Sequence, residues 1–363
     1  MHIHTSQLIE GCMITKDVTG KTNHPIVEKN TVVKPIHIEI LHDFMIDEVE
    51  VGPKLANGST FKPKESKEEP SIVEESLDER RGASPFVDHY LEGVAAYKRM
   101  YQNWKSGADV DIASVRETFL PLFKRASRHA NDVITLHHYS SKSDYIYHHS
   151  VAVGLLSFLI ASKLQFNERE QLQVGISGLL SDCGMAKIDE RILSKSGPLT
   201  EAEYTEIKQH PSYSYKMLER VSSVSQSVRF GALQHHERMD GSGYPLGVHD
   251  NKLHPYGKII AVSDMYHAMT CERLYKTKQS PFRVIEAIMK DQFGKFDPHV
   301  VQVFVKQITN FSAGTKVRLS NNQHGEIIFI EDQLPTRPMI RLSHSDQIIH
   351  LKDYPQTYIE EVL

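Results

Sequence analysis

What most restricts the fold of this chain is a change of period. From Phe86 onward, apolar residues recur every three or four positions, first in "FVDHYLEGVAAYKRMYQNW" and then in "DIASVRETFLPLFKRASRHANDVITLHHY". That spacing lays an apolar stripe along a helix. The pattern continues through 145–165, 168–186, 200–220, 222–238, 255–270, 280–292 and 297–308, with loops such as "SKSGP" and "MDGSGYPLG" between the segments. No long β-run interrupts it, so residues 86–310 are predicted to form an all-α bundle.

The flanks read differently. From Met1 to Asn57 polarity changes every few residues, as in "NHPIVEKNTVVKP" and "DEVEVG". This predicts small strands with one helix, Pro35 to Phe44, hence a small α/β module over 1–57. Residues 58–85 are rich in charge, Ser and Pro and poor in apolar side chains, the composition of a linker. From Ala313, "GTKVRLSNNQHGEIIFIEDQLPTRPMIRLS" reads as strand, turn, strand, proline break, strand, and 311–363 is predicted to be a small β unit. The expected class is mainly α, a helical bundle between two small appendages.

Composition narrows the function. A formal charge of −4 and a pI near 6.6 lack the basic excess of a nucleic-acid binder, so DNA is not an expected partner. Cys12, Cys183 and Cys271 are too few and too scattered for a disulfide framework, and no CxxC pair suggests structural zinc. The most apolar stretch, Val151 to Leu164, is too short to span a bilayer. The opening "MHIHTSQLIEGC" has no signal-peptide pattern. A cytoplasmic protein is expected.

Five polar signals lie in or against apolar helical segments: His149 in "IYHHSVAVG", Asp182 in "GLLSDCG", His210 in "IKQHPSY", His235–His236 in "GALQHHERMDGSGYP" and Asp264 in "KIIAVSDMYHAM". A lone buried histidine is usually a hydrogen-bonded core residue, and an aspartate after an apolar run is often only a helix terminus. Together, two acids and several imidazoles on separate helices are what a metal site inside a bundle needs. The donors suit Fe, Mn or Zn. Adjacent helical residues point about 100° apart, so His235 and His236 can converge on one ion only through their rotamers or at a helix end.

In order, "HSV", "SDxG", "KxHP", "HHExxDGxGYP" and "DxYxAMT" resemble the HD-GYP family, cyclic di-GMP phosphodiesterases of the HD metal-phosphohydrolase superfamily, over roughly residues 125–310. The resemblance implies an HD-type bundle that holds divalent ions, two at most, with Fe or Mn ahead of Zn or Mg. His149, Asp182, His210, His235, His236 and Asp264 match the metal ligands, with Asp182 as the shared, catalytic one. Gly243, Tyr244 and Pro245 match the loop at the substrate edge. Arg273, also assigned a catalytic role, and Lys276 match positions near substrate phosphate. Tyr145 stands where some members carry a glutamate for a third metal.

Two positions depart from the pattern. Ser181 replaces the histidine of the HD pair, and Met185 replaces a lysine three residues after its aspartate. Lys187, about 200° further round a helix, is no simple substitute. His267 stands where a second aspartate is usual, on the same face as Asp264, and it or His148 is a candidate replacement nitrogen donor. The expected reaction is slow hydrolysis of cyclic di-GMP to the linear dinucleotide pGpG, with GMP as a further product. The rival reading is a degenerate cyclic di-GMP receptor that passes a signal through Phe86–His137 to other signalling proteins. A homodimer is compatible with either.

Overall fold

The computed structural model describes the chain apart from residues 6–7, 20–24, 35–36, 39–40, 42–47, 62–84, 196, 273–277, 292–293, 310 and 332–333. The expected helix Pro35 to Phe44 and most of the expected linker therefore lie largely outside the described residues. The chain divides into two compact units, Met1–Arg81 and Gly82–Leu363. In the first, strand β1 (His2–His4) pairs antiparallel with β4 (Glu48–Glu50), and β2 (Val18–Thr19) with β3 (Pro25–Val27). Ile3, Ile14, Val33, Leu41 and Val51 form its small core.

The second unit is helical for most of its length. Helices α1 (Pro85–Lys105) and α2 (Ile112–Ala126) are followed by the short α3 (Ala130–Ile134), then α4 (Tyr145–Lys163) and α5 (Glu168–Leu179). Next come α6 (Glu190–Leu193), α7 (Glu201–Ile207), α8 (His210–Glu219) and α9 (Gln226–Gln234), and α10 (Pro255–Thr270), α11 (Pro281–Asp291) and α12 (Pro298–Ile308) complete the helices. Apolar all round, α4 is the central helix, buried from Tyr147 to Ala161. Long and apolar enough by composition to cross a membrane, it has 83% of its most apolar window buried inside the protein. Onto it α1 packs Phe86, Tyr90, Tyr97, Tyr101 and Trp104, all within one core.

Three expected helices end earlier than their apolar pattern. The segment 168–186 stops at Leu179 and resumes as a 3₁₀ turn, Cys183–Lys187. The segment 200–220 is two helices, parted at Lys208–Gln209. Pro211 has no N–H to continue the first of them. The segment 222–238 begins at the Ser225 cap and ends at Gln234. Each break falls beside a polar residue of the site.

The C-terminal region is a five-stranded antiparallel sheet of β5 (Lys316–Leu319), β6 (His324–Phe329), β7 (Met339–Leu342), β8 (Ile348–His350) and β9 (Ile359–Val362). Its order is β8-β7-β6-β5-β9, two strands more than the sequence pattern suggests. Phe282 of α11 belongs to the sheet's core. Arg337 clamps Glu286 of α11 with Nε at 2.5 Å and a second guanidinium nitrogen at 2.8 Å.

Candidate metal centre

Five elements deliver six side chains to one buried spot. His149 comes from the first turns of α4 and Asp264 from the middle of α10. The others stand at helix ends: Asp182 between α5 and the 3₁₀ turn, His210 as the first residue of α8, His235 and His236 just past α9. The early helix breaks are what bring them together. Gly184 allows the closest approach, since a Cβ there would lie 2.2 Å from the His210 carbonyl oxygen and 2.4 Å from the Ser214 nitrogen.

The local backbone also selects which histidine nitrogen faces inward. Pro211 offers no N–H to the Ile207 carbonyl, so His210 Nδ1–H donates to it instead at 2.7 Å. At the end of α9, where carbonyls lose their helical partners, His235 Nδ1–H donates to Ala232 O at 2.7 Å. These bonds assign the tautomers: both rings turn an Nε2 lone pair inward. The two Nε2 atoms lie 3.3 Å apart, at 3.0 Å (His210) and 3.5 Å (His235) from Asp182 Oδ1. On the other side, His149 Nε2 lies 3.4 Å from Asp182 Oδ2 and 3.0 Å from Asp264 Oδ1, and His236 Nδ1 lies 3.5 Å from Asp264 Oδ2. Asp182 thus faces both sides, one oxygen to each.

Lone pairs that converge this closely repel one another unless a proton or a cation lies between them. Two donors each about 2.1 Å from one cation lie about 3.0 Å apart in an octahedral arrangement and about 3.4 Å apart in a tetrahedral one. The observed separations match, so the residues fit a divalent ion. Asp182, His210, His235 and His236 alone bring their donor atoms within 4.8 Å of one another. Burial works against ionising Asp182, but the neighbouring His210 and His235 hold its carboxyl well below the usual range. Burial likewise works against ionising Asp264, but the neighbouring His236 and His149 hold its carboxyl well below the usual range. Burial, then the neighbouring His235, pushes His236 well below an ordinary histidine.

Ser181 takes no part. Its hydroxyl donates back to Gly178 O at 2.8 Å, within the last turn of α5. Met185 lines the cleft above the cluster with a thioether in place of a charge, and Lys187 turns away to Trp104 O at 2.8 Å. Neither candidate replacement donor joins the inward-facing atoms. His267 Nδ1 lies 3.1 Å from His149 Nδ1, behind that ring, and His148 Nδ1 lies 2.9 Å from the Tyr90 hydroxyl. Arg273 and Lys276 lie outside the described residues.

A cleft of about 700 Å³ opens over the cluster, with Tyr101 and Lys105 of α1 on one wall and Tyr244 on another. Tyr244 packs on His236, ring centroids 4.7 Å apart. Its loop is held by a residue that pattern reading passed over. Glu237, 2% exposed, accepts from the backbone N–H groups of Leu246 (2.6 Å), Gly247 and Val248 (3.2 Å each). Its place between the histidine pair and the glycine-rich loop was the available signal. Gly243 must stay small, because a Cβ there would lie 2.4 Å from the Arg238 nitrogen.

A family model described as HD domain matches residues 133–300. Cyclic di-GMP phosphodiesterase PA4108 of Pseudomonas aeruginosa is 32% identical over 234 residues, 64% of this chain and 56% of that protein. A cyclic di-GMP phosphodiesterase of Thermotoga maritima is 37% identical over 163 residues, 44% of this chain and 43% of that protein. The 3'3'-cGAMP-specific phosphodiesterase 1 of Vibrio cholerae is 34% identical over 168 residues, 46% of this chain and 38% of that protein. The chain spans about half the length of the curated relatives it matches, or less. With this likeness, its ordered motifs and its helical core, the chain carries an HD domain over residues 133–300 and resembles the cyclic di-GMP phosphodiesterases among HD-domain proteins.

Proposed function

We propose that this chain hydrolyses a phosphodiester bond of a cyclic 3',5'-dinucleotide, cyclic di-GMP first, to a linear dinucleotide and then mononucleotides. The observation that carries the reading is Asp182, one buried carboxylate with histidine nitrogens against both oxygens. His149, Asp182, His210, His235, His236 and Asp264 would hold the divalent ions, two at most, with Asp182 common to both; manganese and iron suit the donors best. Such ions supply charge neutralisation at phosphorus and a hydrolytic water active near neutral pH. The protein orients Asp182 by packing and excludes bulk water by burying the donors. Tyr244 walls the substrate edge, and burial holds its phenol above the ordinary range, so it stays a neutral donor. Arg273 and Lys276 are assigned to substrate phosphate on the sequence pattern alone.

Turnover is slow on this reading. Met185 offers no charge to the reacting phosphate, and loss of one preorganised electrostatic group commonly costs about 10²–10³ in rate. A second reading, a receptor that binds without cleaving, is favoured by the same two residues, Ser181 and Met185. Anaerobically prepared protein incubated with Mn²⁺ or Fe²⁺ and cyclic di-GMP separates the two. Metal-dependent appearance of the linear dinucleotide is expected. Tight binding with no product would replace the enzyme by the receptor, and neither binding nor product would end both. The relatives named for 3'3'-cGAMP make that dinucleotide the competing substrate to assay.

A further inference from the structure

His149 differs from the other inward-facing histidines in what holds its outer nitrogen. His210 and His235 each donate Nδ1–H to a backbone carbonyl fixed by the fold. For His149 the neighbours recorded at Nδ1 are side chains: the Tyr145 hydroxyl at 3.1 Å and His267 Nδ1 at 3.1 Å. To present an Nε2 lone pair between Asp182 and Asp264, His149 must carry its proton on Nδ1, and that N–H requires an acceptor. Tyr145 lies stacked beside the imidazole, ring centroids 5.1 Å and planes 24° apart, and its hydroxyl can donate as well as accept. The His267 ring is tilted by 52°, with its centroid 5.2 Å away. Only 1% exposed, it is backed by Cys271 Sγ at 3.5 Å from either ring nitrogen.

We infer that His267 is a positioning residue, the acceptor that fixes the tautomer and orientation of His149. It acts through His149, on the Asp264 side of the cluster. The inference rests on the metal-dependent reading above. Outer partners of metal-bound histidines orient the ligand and raise its basicity, and losing one costs about 10–100-fold in metal affinity.

The test is calorimetric titration of metal-free full-length protein with Mn²⁺, read as affinity and ions per chain, with no activity needed. His267→Leu is expected to weaken the weaker Mn²⁺ step by about 10–100-fold and leave the tighter step alone. His267→Asp, which restores an acceptor, is expected to stay close to wild type, and it keeps the test decisive if the leucine variant does not fold. Tyr145→Phe is expected to change little. Wild-type Mn²⁺ binding in His267→Leu, weakened binding in His267→Asp, or the main loss falling on Tyr145→Phe would each overturn the positioning role while the metal site stands. A wild-type protein that takes up no Mn²⁺ would overturn the metal reading and this inference with it.

Discussion

The two sides of Asp182 are unequal. Beside Oδ1 stand His210 and His235, each with its outer nitrogen tied to a main-chain carbonyl and its inner nitrogen aimed by the end of a helix. Beside Oδ2 stand His149 and Asp264, both within helices, with the outer nitrogen of His149 facing the side chains of Tyr145 and His267. One side is specified by backbone, which substitution of a side chain scarcely alters. The other depends on side chains, and one of those has changed. Substitution of a side chain can loosen the second half and leave the first whole.

The largest effect is expected from Asp182→Ala, which removes the carboxylate common to both halves. Hydrolysis should fall by at least about 10²–10³-fold, and both Mn²⁺ steps should weaken in the same titration. Loss of one step only would break the comparison at its centre. Next is Gly184→Ala, whose methyl group must displace the start of α8. Such overpacking costs about 1–3 kcal/mol, seen in denaturant unfolding, and the metal defect should fall on the His210 side. Ser181→His is expected to strengthen the weaker Mn²⁺ step by on the order of tenfold, about 1.4 kcal/mol, and to raise turnover, further with Met185→Lys added. An unchanged titration would mean that the serine at 181 does not limit the weaker step.

The smallest effect is a control outside both halves. Burial, then the adjacent His138, lowers His137 to about 3, although its bond to Ile134 O opposes this. Its folded value lies below its unfolded one, so its share of stability is complete above the ordinary histidine range and is lost as pH falls toward about 3. Metal-free His137→Gln should therefore lose less stability on acidification, by about 0.8 kcal/mol at pH 6. Identical acid limbs in chemical denaturation would assign the sensitivity to other groups.

Much of this was legible in the sequence, because apolar periodicity and the order of polar interruptions both survive in one dimension. The bundle, its flanking strands and the convergence of His149, Asp182, His210, His235, His236 and Asp264 follow from those patterns. The helix ends did not. Leu179, Ile207 and Gln234 stop their helices inside apolar pattern, for tertiary reasons that a period cannot carry. Glu237 was missed because a buried acid that serves three backbone N–H groups looks, in sequence, like surface charge. His267 was placed on the right helix face, but facing a ligand's outer nitrogen and facing the cluster are the same thing at the resolution of a helical wheel.

The matched residues begin at 133, yet α1 lies well upstream. Tyr90 reaches the His148 ring, the Trp104 carbonyl receives Lys187, and Tyr101 forms part of the cleft wall. Cutting the chain at the edge of the recognisable domain would strip aromatic cover from α4 and open the cleft over the cluster to solvent on one flank. For this protein the segment that can be recognised is shorter than the piece whose side chains wall the cleft.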